Sequence, residues 1–508
     1  MGTLDLLKRR AGMVVPIFSL NEPGNWGVGE ITHLYPLIDW MSLFGQTILQ
    51  VLPFNEMSPG VNSPYSALSL FALDPVYITI DGELPEGIKP QIEKCRKGKG
   101  IQYEKIRELK LKCLEKSFES FKKQMPQSFL DFEKFNGWWL HDYALFRLLK
   151  EKNNWYSWQH WAPAFKNRDE AALNGLAAAE GDRVFFFKYV QWVAFDQWEK
   201  AKRYAEEKGV LLKGDVPFAP SEESDAAWVN RDITDPNFTL GCPPDAFSAT
   251  GQEWGLPVYH VGNMEATGYD YWRKRAQWAD ELFHYYRIDH VVGCYRMYAF
   301  PAKRGDRARF IPEHEPQQLR LGEKIITVLK EATRNSYPMA EDLGVVPDFV
   351  RASLARLKIP GYKILRWEKY WKTPDQHYIH PCDYPECSIA TTGSHDTDTM
   401  SEWWETLELK ERQELIGMAG VDGQDGEMDF NHDIHLGLLE MLYHANSMFV
   451  ILPIQDLFGW DERINVPGTC GKTNWSYRLP GPVGTLSLEK NCKACAEKIK
   501  GFIADSGR

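Results

Sequence analysis

Short runs of apolar, often β-branched residues recur along the chain, and most of them end in a cluster of polar residues. Eight of these runs stand out: Met13–Phe18, Thr47–Leu52, Val210–Val216, Tyr285–Val292, Pro338–Leu343, Tyr362–Trp367, Cys387–Thr392 and Met448–Ile454. Continuous apolar runs of this kind, bounded by polar residues, are typical of strands buried on both faces, as in a parallel sheet. The pattern therefore predicts buried parallel strands.

Helical patterns lie between the later runs. They cover Tyr269–Phe283, Gln318–Arg334, Pro347–Leu357, Glu402–Met418 and His432–Asn446. Strands and helices in alternation predict βα units. The number of units is what a (β/α)8 barrel requires, although a doubly wound sheet would fit the same count.

The polar residues that follow the strands favour the barrel. They stand just after the apolar part of five runs: Asp215, Asp289, Glu341, His395-Asp396 and Gln455-Asp456. Barrel enzymes carry their catalytic groups at the C-terminal ends of the strands, where the loops of all strands meet. We therefore predict a (β/α)8 barrel whose functional groups share one rim.

The chain between Leu52 and Val210 is far longer than one helix and two loops need. It contains helical and aromatic-rich stretches, whose aromatic residues we interpret as core in preference to glycan contacts. We predict three segments: the start of the barrel at 1–75, a mostly helical insertion at 76–205, and the rest of the barrel at 206–508, including a loop at 241–262 over the active site. We expect no C-terminal β-sandwich domain, because few residues follow the last predicted strand.

Composition and charge narrow the class of protein. Of the 508 residues, 44% are hydrophobic and 25% are charged, as in an ordinary globular protein. The formal net charge of −11 gives no field that attracts phosphate, so we expect no nucleic-acid partner. Because no stretch resembles a membrane span or a signal peptide, we expect a cytoplasmic protein with no membrane partner.

The cysteines give no sign of a metal or redox site. There are nine, and Cys492 and Cys495 form a CxxC pair that has no visible second ligand pair. His395 and Asp396 could bind a metal, but no further His cluster supports this interpretation. We expect reduced thiols, no metal and no cofactor.

The segment Arg287-Ile288-Asp289-His290 places an Arg and an Asp on the same face of a strand. An adjacent guanidinium favours the ionised carboxylate, which is the form that a nucleophile needs. A structural Arg–Asp pair is the alternative.

A second pair of carboxylates follows the strand at 338–343. Glu341 and Asp342 point to opposite faces, so only one of them can face a barrel mouth. Burial among aromatic residues would raise the pKa of Glu341 and let it hold a proton near neutrality. With His395-Asp396 as a hydroxyl-binding pair, these carboxylates suit the cleavage of glycosidic bonds.

Several longer segments form recognisable motifs: Ser63–Ser66, Gly214–Pro217, Pro243–Gly255, Arg287–His290, Ala340–Gly344, Gly393–Thr399, Leu452–Leu457 and Arg463–Thr469 with Asn474-Trp475. In these segments the sequence resembles glycoside hydrolase family 77, the 4-α-glucanotransferases also called amylomaltases or disproportionating enzymes. The resemblance implies a (β/α)8 barrel and transfer of α-1,4-glucan segments between maltooligosaccharides, maltodextrins or glycogen-derived glucans, through a covalent glycosyl-enzyme.

The resemblance also implies roles for individual residues. Asp289 matches the nucleophile, Glu341 the general acid/base, and Asp396 the group that stabilises the transition state. Arg287, His395 and Asp215 match donor-site contacts, whereas Tyr65, Asp245 and Trp254 match the acceptor side or the loop over the groove. Asn465 and Gln455 match hydroxyl contacts or the residues behind them.

Two alternatives to a hexosyltransferase stay open at the sequence level: an α-amylase-type hydrolase, and a glucan-binding scaffold without activity. The segment Tyr298–Glu315 departs from the family's usual continuation, and we interpret it either as a solvated loop or as a substrate-specific lid.

Overall fold

The fold is built around a closed barrel of eight strands, and every neighbouring pair of strands in it is parallel. The computed structural model describes residues 5–244, 251–303, 307–421, 429–469, 471 and 473–508. Within these ranges the strands are β1 (Arg10–Val14), β2 (Ile48–Gln50), β3 (Leu211–Val216), β4 (Thr234–Cys242), β5 (Gln252–Tyr259), β6 (Tyr285–Ile288), β7 (Met297–Pro301), β8 (Arg309–Ile311), β9 (Tyr337–Ala340), β10 (Gly361–Ile364), β11 (Ser388–Thr391) and β12 (Phe449–Pro453).

The strands of the barrel follow one another in the order β1-β12-β11-β10-β9-β6-β3-β2. Each of them lies within or overlaps one of the eight apolar runs, so the predicted (β/α)8 barrel is confirmed. The first strand lies earlier than expected, because β1 starts at Arg10 and ends at Val14, before Pro16. Proline lacks the N–H that a central strand must donate to its neighbour.

Helices surround the barrel and fill the long connection between β2 and β3. They are α1 (Leu34–Leu43), α2 (Ile88–Arg96), α3 (Tyr103–Phe121), α4 (Gln127–Lys152), α5 (Pro163–Lys166), α6 (Glu170–Ala179), α7 (Gly181–Glu207), α8 (Asp225–Val229), α9 (Val261–Ala266), α10 (Asp270–Leu282), α11 (Val292–Tyr295), α12 (Glu315–Ala332), α13 (Asp348–Arg356), α14 (Met400–Thr406), α15 (Leu409–Ala419), α16 (His432–Tyr443), α17 (Ile454–Phe458), α18 (Val483–Leu486) and α19 (Lys490–Asp505). In the part of the chain that the structure describes, no helix has the length and apolar character that a membrane crossing needs.

The last helix before β3 packs directly on the barrel. α7 contacts α1, β3 and α10, and its Trp198 is fully buried with its indole Nε1 donating to the Leu282 carbonyl at 2.9 Å. The predicted boundary at residue 205 falls inside this helix, which ends at Glu207. The helical region and the barrel therefore share α7.

A small antiparallel sheet stands beside the barrel, with the strand order β5-β4-β7-β8. Two sequence-based interpretations change here. The segment at 241–262, predicted as a loop, supplies the end of β4 and all of β5, while its residues 245–250 lie outside the described residues. The segment Tyr298–Glu315 supplies most of the paired strands β7 and β8, which we call the β7–β8 hairpin. The second segment therefore contains regular strand structure in place of a solvated loop, since β7 pairs with β4 over four residue pairs.

A polar layer fills the barrel interior below the rim. Lys213 on β3 is fully buried, and its Nζ donates to Gln50 Oε1 on β2 at 2.8 Å and to the Tyr362 hydroxyl on β10 at 2.6 Å. Asp215 lies two residues further along β3, on the same face of the strand. The layer therefore supports Asp215 from below.

Candidate active site

Eight of the predicted site residues line one cavity of about 400 Å³ at the C-terminal end of the barrel. They are Tyr65, Trp254, Arg287, Asp289, Glu341, His395, Asp396 and Asn465. The three carboxylates come from different loops, because Asp289 directly follows β6, Glu341 directly follows β9 and Asp396 lies shortly after β11. Only the closed parallel barrel brings these distant segments together.

Arg287 is the electrostatic centre of the cavity. Its Nη1 lies 3.0 Å from Asp289 Oδ1 and 2.6 Å from Asp215 Oδ2, and its Nη2 lies 3.6 Å from Glu341 Oε2. One buried guanidinium thus contacts three carboxyl groups. As a result, Asp289 and Glu341 face the same space.

The neighbouring carboxyl groups Glu341 and Asp342 separate as their alternation predicts. Glu341 faces the cavity and accepts a hydrogen bond from the His290 backbone N–H at 2.6 Å. Asp342 is buried away from it and accepts from the Tyr362 backbone N–H at 2.7 Å. Glu341 is therefore free for chemistry, whereas Asp342 has a structural contact.

Burial and charge together set the ionisation of Asp289 and Glu341. Burial raises the pKa of Glu341 to about 8, with Arg287 opposing this effect and Asp289 adding to it. Burial also raises the pKa of Asp289, against the charge of Arg287, so Arg287 alone does not fix its ionised state. Asp289 is the more exposed of the two carboxyls and lies closer to Arg287. It is therefore the first of the pair to lose its proton, and Glu341 keeps one near neutrality.

Asp396 is held as an anion. Burial would raise the pKa of this carboxyl, but His395 at 3.1 Å and Asn465, whose Nδ2 donates at 2.6 Å, hold the pKa well below its usual range. The His395 ring also stacks on Tyr65, with 5.2 Å between the ring centroids. The arrangement presents a fixed carboxylate and an imidazole to the cavity, which suits hydrogen bonding to sugar hydroxyls.

Two predicted contact residues, Asp215 and Gln455, do not line this cavity. The Asp215 side chain is fully covered, and it accepts a hydrogen bond from the Tyr65 hydroxyl at 2.7 Å while pairing with Arg287. Gln455 is also buried, and its Nε2 donates to the Glu462 carbonyl at 3.2 Å. Neither side chain is therefore part of the cavity lining, although Asp215 contacts two residues that are, Tyr65 and Arg287. Asp245 lies outside the described residues.

Two aromatic residues from the family motifs, His290 and Trp475, line the cavity although they were not among the predicted site residues, and Phe218 is a further aromatic residue in the lining. His290 lines the cavity in a left-handed conformation with φ 45°, and its ring packs edge-on against Trp254 with the centroids 4.9 Å apart. Trp475 lies against both Tyr65 and His395. The sequence could have indicated both His290 and Trp475, because each belongs to a motif that carries the family resemblance.

The raised pKa of Glu341 predicts a pH-dependent cost in stability. The folded protein binds this proton more tightly than the unfolded chain, whose Glu has a pKa of about 4.5. This group therefore lowers the free energy of unfolding as the pH rises from about 4.5 to about 8. We expect the melting temperature of Glu341→Gln, relative to that of the unmodified protein, to increase between about pH 5 and about pH 9. Calorimetry at both pH values checks this, and a constant difference would contradict it.

A parallel barrel with these carboxylates at the C-terminal ends of its strands defines the class of (β/α)8 barrel enzymes that act on glycosidic bonds. The particular family follows from comparison with known proteins. The chain belongs to the 4-α-glucanotransferase family, whose sequence profile matches residues 15–484.

Individual relatives agree over nearly the full length. The 4-α-glucanotransferase of Aquifex aeolicus is 32% identical over 485 residues, covering 93% of this chain and 95% of the relative. The 4-α-glucanotransferase of Chlamydia muridarum is 30% identical over 498 residues, covering 94% of this chain and 92% of the relative. Among solved structures, the amylomaltase of Streptococcus agalactiae in complex with acarbose superposes with a TM-score of 0.84 at 26% identity and covers 98% of this chain and 99% of that one.

Proposed function

We propose that this protein is a retaining 4-α-glucanotransferase that moves α-1,4-linked glucan segments between maltooligosaccharides. Membership of the 4-α-glucanotransferase family supports the transfer of glucan. The observation that carries the mechanism is the position of Asp289 and Glu341, which face one cavity on either side of Arg287 and differ in their tendency to ionise. Maltodextrins and glycogen-derived glucans fit the same chemistry as donors.

In the first half of the reaction Asp289 attacks the anomeric carbon of the donor. Its carboxylate forms the new bond to carbon while the glycosidic bond breaks, and protonated Glu341 gives its proton to the departing oxygen. The product is a covalent glucosyl ester of Asp289 together with the shortened glucan as an alcohol. Asp396 and His395 hydrogen-bond the ring hydroxyls, where the fixed negative charge of Asp396 supports the positive charge that develops at the ring.

In the second half an acceptor replaces the departed glucan. Ionised Glu341 now removes the proton from the acceptor's 4-hydroxyl, whose oxygen attacks the anomeric carbon and releases Asp289 as a carboxylate. Two inversions at the same carbon restore the α configuration. Each group returns to its starting protonation state, so no co-reactant is needed.

The choice between an acceptor sugar and water depends on what the cavity holds next to Glu341. Trp254 and Tyr65 offer aromatic faces to the cavity, and a sugar ring bound there would present its hydroxyl at a high effective concentration. Trp254 is 36% exposed and forms one wall of the entrance. We propose that these rings favour transfer over hydrolysis.

The product pattern from maltotriose tests this function. A transferase converts maltotriose into longer maltooligosaccharides and glucose, with no net gain of reducing ends, because each bond broken is replaced by another. An α-amylase-type hydrolase would instead release new reducing ends and no longer products, and a scaffold would leave maltotriose unchanged. Chromatography of the products together with a reducing-end assay distinguishes these outcomes, and either of the last two would contradict the proposal.

A further inference from the structure

A second chamber of about 320 Å³ lies next to the active-site cavity. Trp254, His290, Glu341 and Asp396 line both spaces, so they stand at the boundary between them. The far wall of the chamber belongs to the small antiparallel sheet and includes the β7–β8 hairpin. The two spaces therefore adjoin at Glu341, and together they are called the groove below.

The position of Glu341 indicates which side of the groove holds the donor and which side holds the acceptor. Arg287, Asp289 and His395 line the first space and are absent from the described lining of the second. In the mechanism above, the donor's anomeric carbon must lie by Asp289, and the oxygen that leaves or attacks must lie by Glu341. Sugars beyond that oxygen then extend toward the hairpin. The second chamber is thus on the acceptor side.

The hairpin presents one aromatic face to this chamber. Tyr298 on β7 and Phe310 on β8 are cross-strand partners, with 5.0 Å between their ring centroids, and both line the chamber. Arg309 is next to Phe310 in β8 and therefore points to the opposite face. There it lies over Phe238 and lines a different cavity.

Arg296, directly before β7, completes this surface. Its guanidinium lies 4.1 Å from the centre of the Phe310 ring, which holds it in place, and it lines the chamber. The buried Nε of Arg296 has no hydrogen-bond partner among the described residues. Because Phe310 covers the flat face of the guanidinium, the N–H donors along its edge stay available, and those that face the chamber can donate to a ligand hydroxyl.

We propose that Arg296 and Tyr298 bind the second sugar of the acceptor glucan, counted from the sugar that Glu341 activates. Arg296 donates to a sugar hydroxyl, and the flat face of Tyr298 packs against the ring. This inference rests on the proposed transferase function and extends it. It gives the β7–β8 hairpin a role in selecting acceptors of at least two glucose units.

The test uses α-maltotriosyl fluoride as donor, because fluoride leaves without filling the acceptor side, and glucose or maltose as acceptor. We expect Arg296→Ala and Tyr298→Leu to raise the KM for maltose about tenfold, the effect of losing one contact of this kind, with little change for glucose. The fraction of donor lost to water should rise in parallel when maltose is the acceptor. Arg309→Ala is the matched control, since it also removes an Arg–aromatic contact from the hairpin but on the other face.

The outcomes separate this inference from the proposed function. An unchanged KM for maltose in both Arg296→Ala and Tyr298→Leu would overturn the inference, and so would an equal rise for glucose and maltose or the same effect in Arg309→Ala. If the unmodified protein consumes the fluoride without transfer to either sugar, the transferase function itself fails and the inference falls with it. Melting temperatures of the three variants show whether the hairpin stays folded.

Discussion

Replacing Asp289 by Ala is expected to abolish glucan transfer and to lower kcat by about 10⁴-fold or more, because no other group can form the covalent intermediate. Asp289 is the carboxylate at the end of β6 that pairs with Arg287 at 3.0 Å and faces Glu341 across the cavity. A donor with fluoride as leaving group should not restore activity, since the missing step is the attack on carbon. Single-turnover assays with maltotriose and with α-maltotriosyl fluoride measure this.

A measurement of oligosaccharide binding by Asp289→Ala distinguishes the loss of the chemical step from a loss of structure. Asp289→Ala should still bind maltooligosaccharides, because His395, Asp396 and Tyr65 remain in place. Titration calorimetry with an intact oligosaccharide is the measurement. Retained turnover in Asp289→Ala would refute the assignment of the nucleophile, and loss of both binding and folding would show that Asp289 has a structural role instead.

The second large effect is expected for Glu341→Gln, which should lower kcat on maltotriose by about 10²- to 10⁴-fold. Gln cannot give a proton to the departing oxygen, so kcat should fall most for donors with a poor leaving group. With α-maltotriosyl fluoride the first half of the reaction needs no proton, and formation of the glycosyl-enzyme should recover. Detection of the trapped ester on Asp289 by mass spectrometry checks this.

The pH profile gives a second readout of the same group. Burial raises the pKa of Glu341 to about 8, so kcat/KM of the unmodified enzyme should fall as the pH rises through about 8, when the proton is lost. In Glu341→Gln this limb should be absent. Asp342→Asn is the matched control, because this neighbouring carboxyl is buried against the Tyr362 backbone N–H. It should cost stability and leave the limb in place. A limb that persists in Glu341→Gln would mean that another group supplies the proton.

The barrel and the positions of its carboxylates could be predicted because both depend on local patterns. A strand buried on both faces needs a continuous apolar run, and the residue after it must lie at the rim. Asp289 and Glu341 follow β6 and β9 directly, so their convergence required only that the sheet closes.

The antiparallel sheet could not be predicted in the same way. β4 contains Pro236 and Gly241, β5 contains Gly255 and Pro257, and their pairing is interrupted by register shifts. Breakers of this kind indicate loops when a sequence is examined locally. β4 pairs with β5 on one side and with β7 on the other, and bulges accommodate the irregular register. These are properties of the folded sheet and not of any single segment.

The surroundings of each site residue could not be predicted from the sequence either. The covering of Asp215 depends on Tyr65 and Arg287, which lie 150 and 72 residues away along the chain. The pKa of Asp289 depends on how deeply the cavity buries it, and the free Nε of Arg296 depends on where Phe310 lies. Such effects arise from packing between distant segments.

The sharing of α7 between the helical region and the barrel bears on how this protein could be redesigned. Trp198 packs against Phe54 at the mouth of the connection from β2 and against Phe283 just before β6. A deletion of the whole segment between β2 and β3 would expose that face of the barrel wall. A minimal catalytic core must therefore keep α7 and shorten only the helices that precede it.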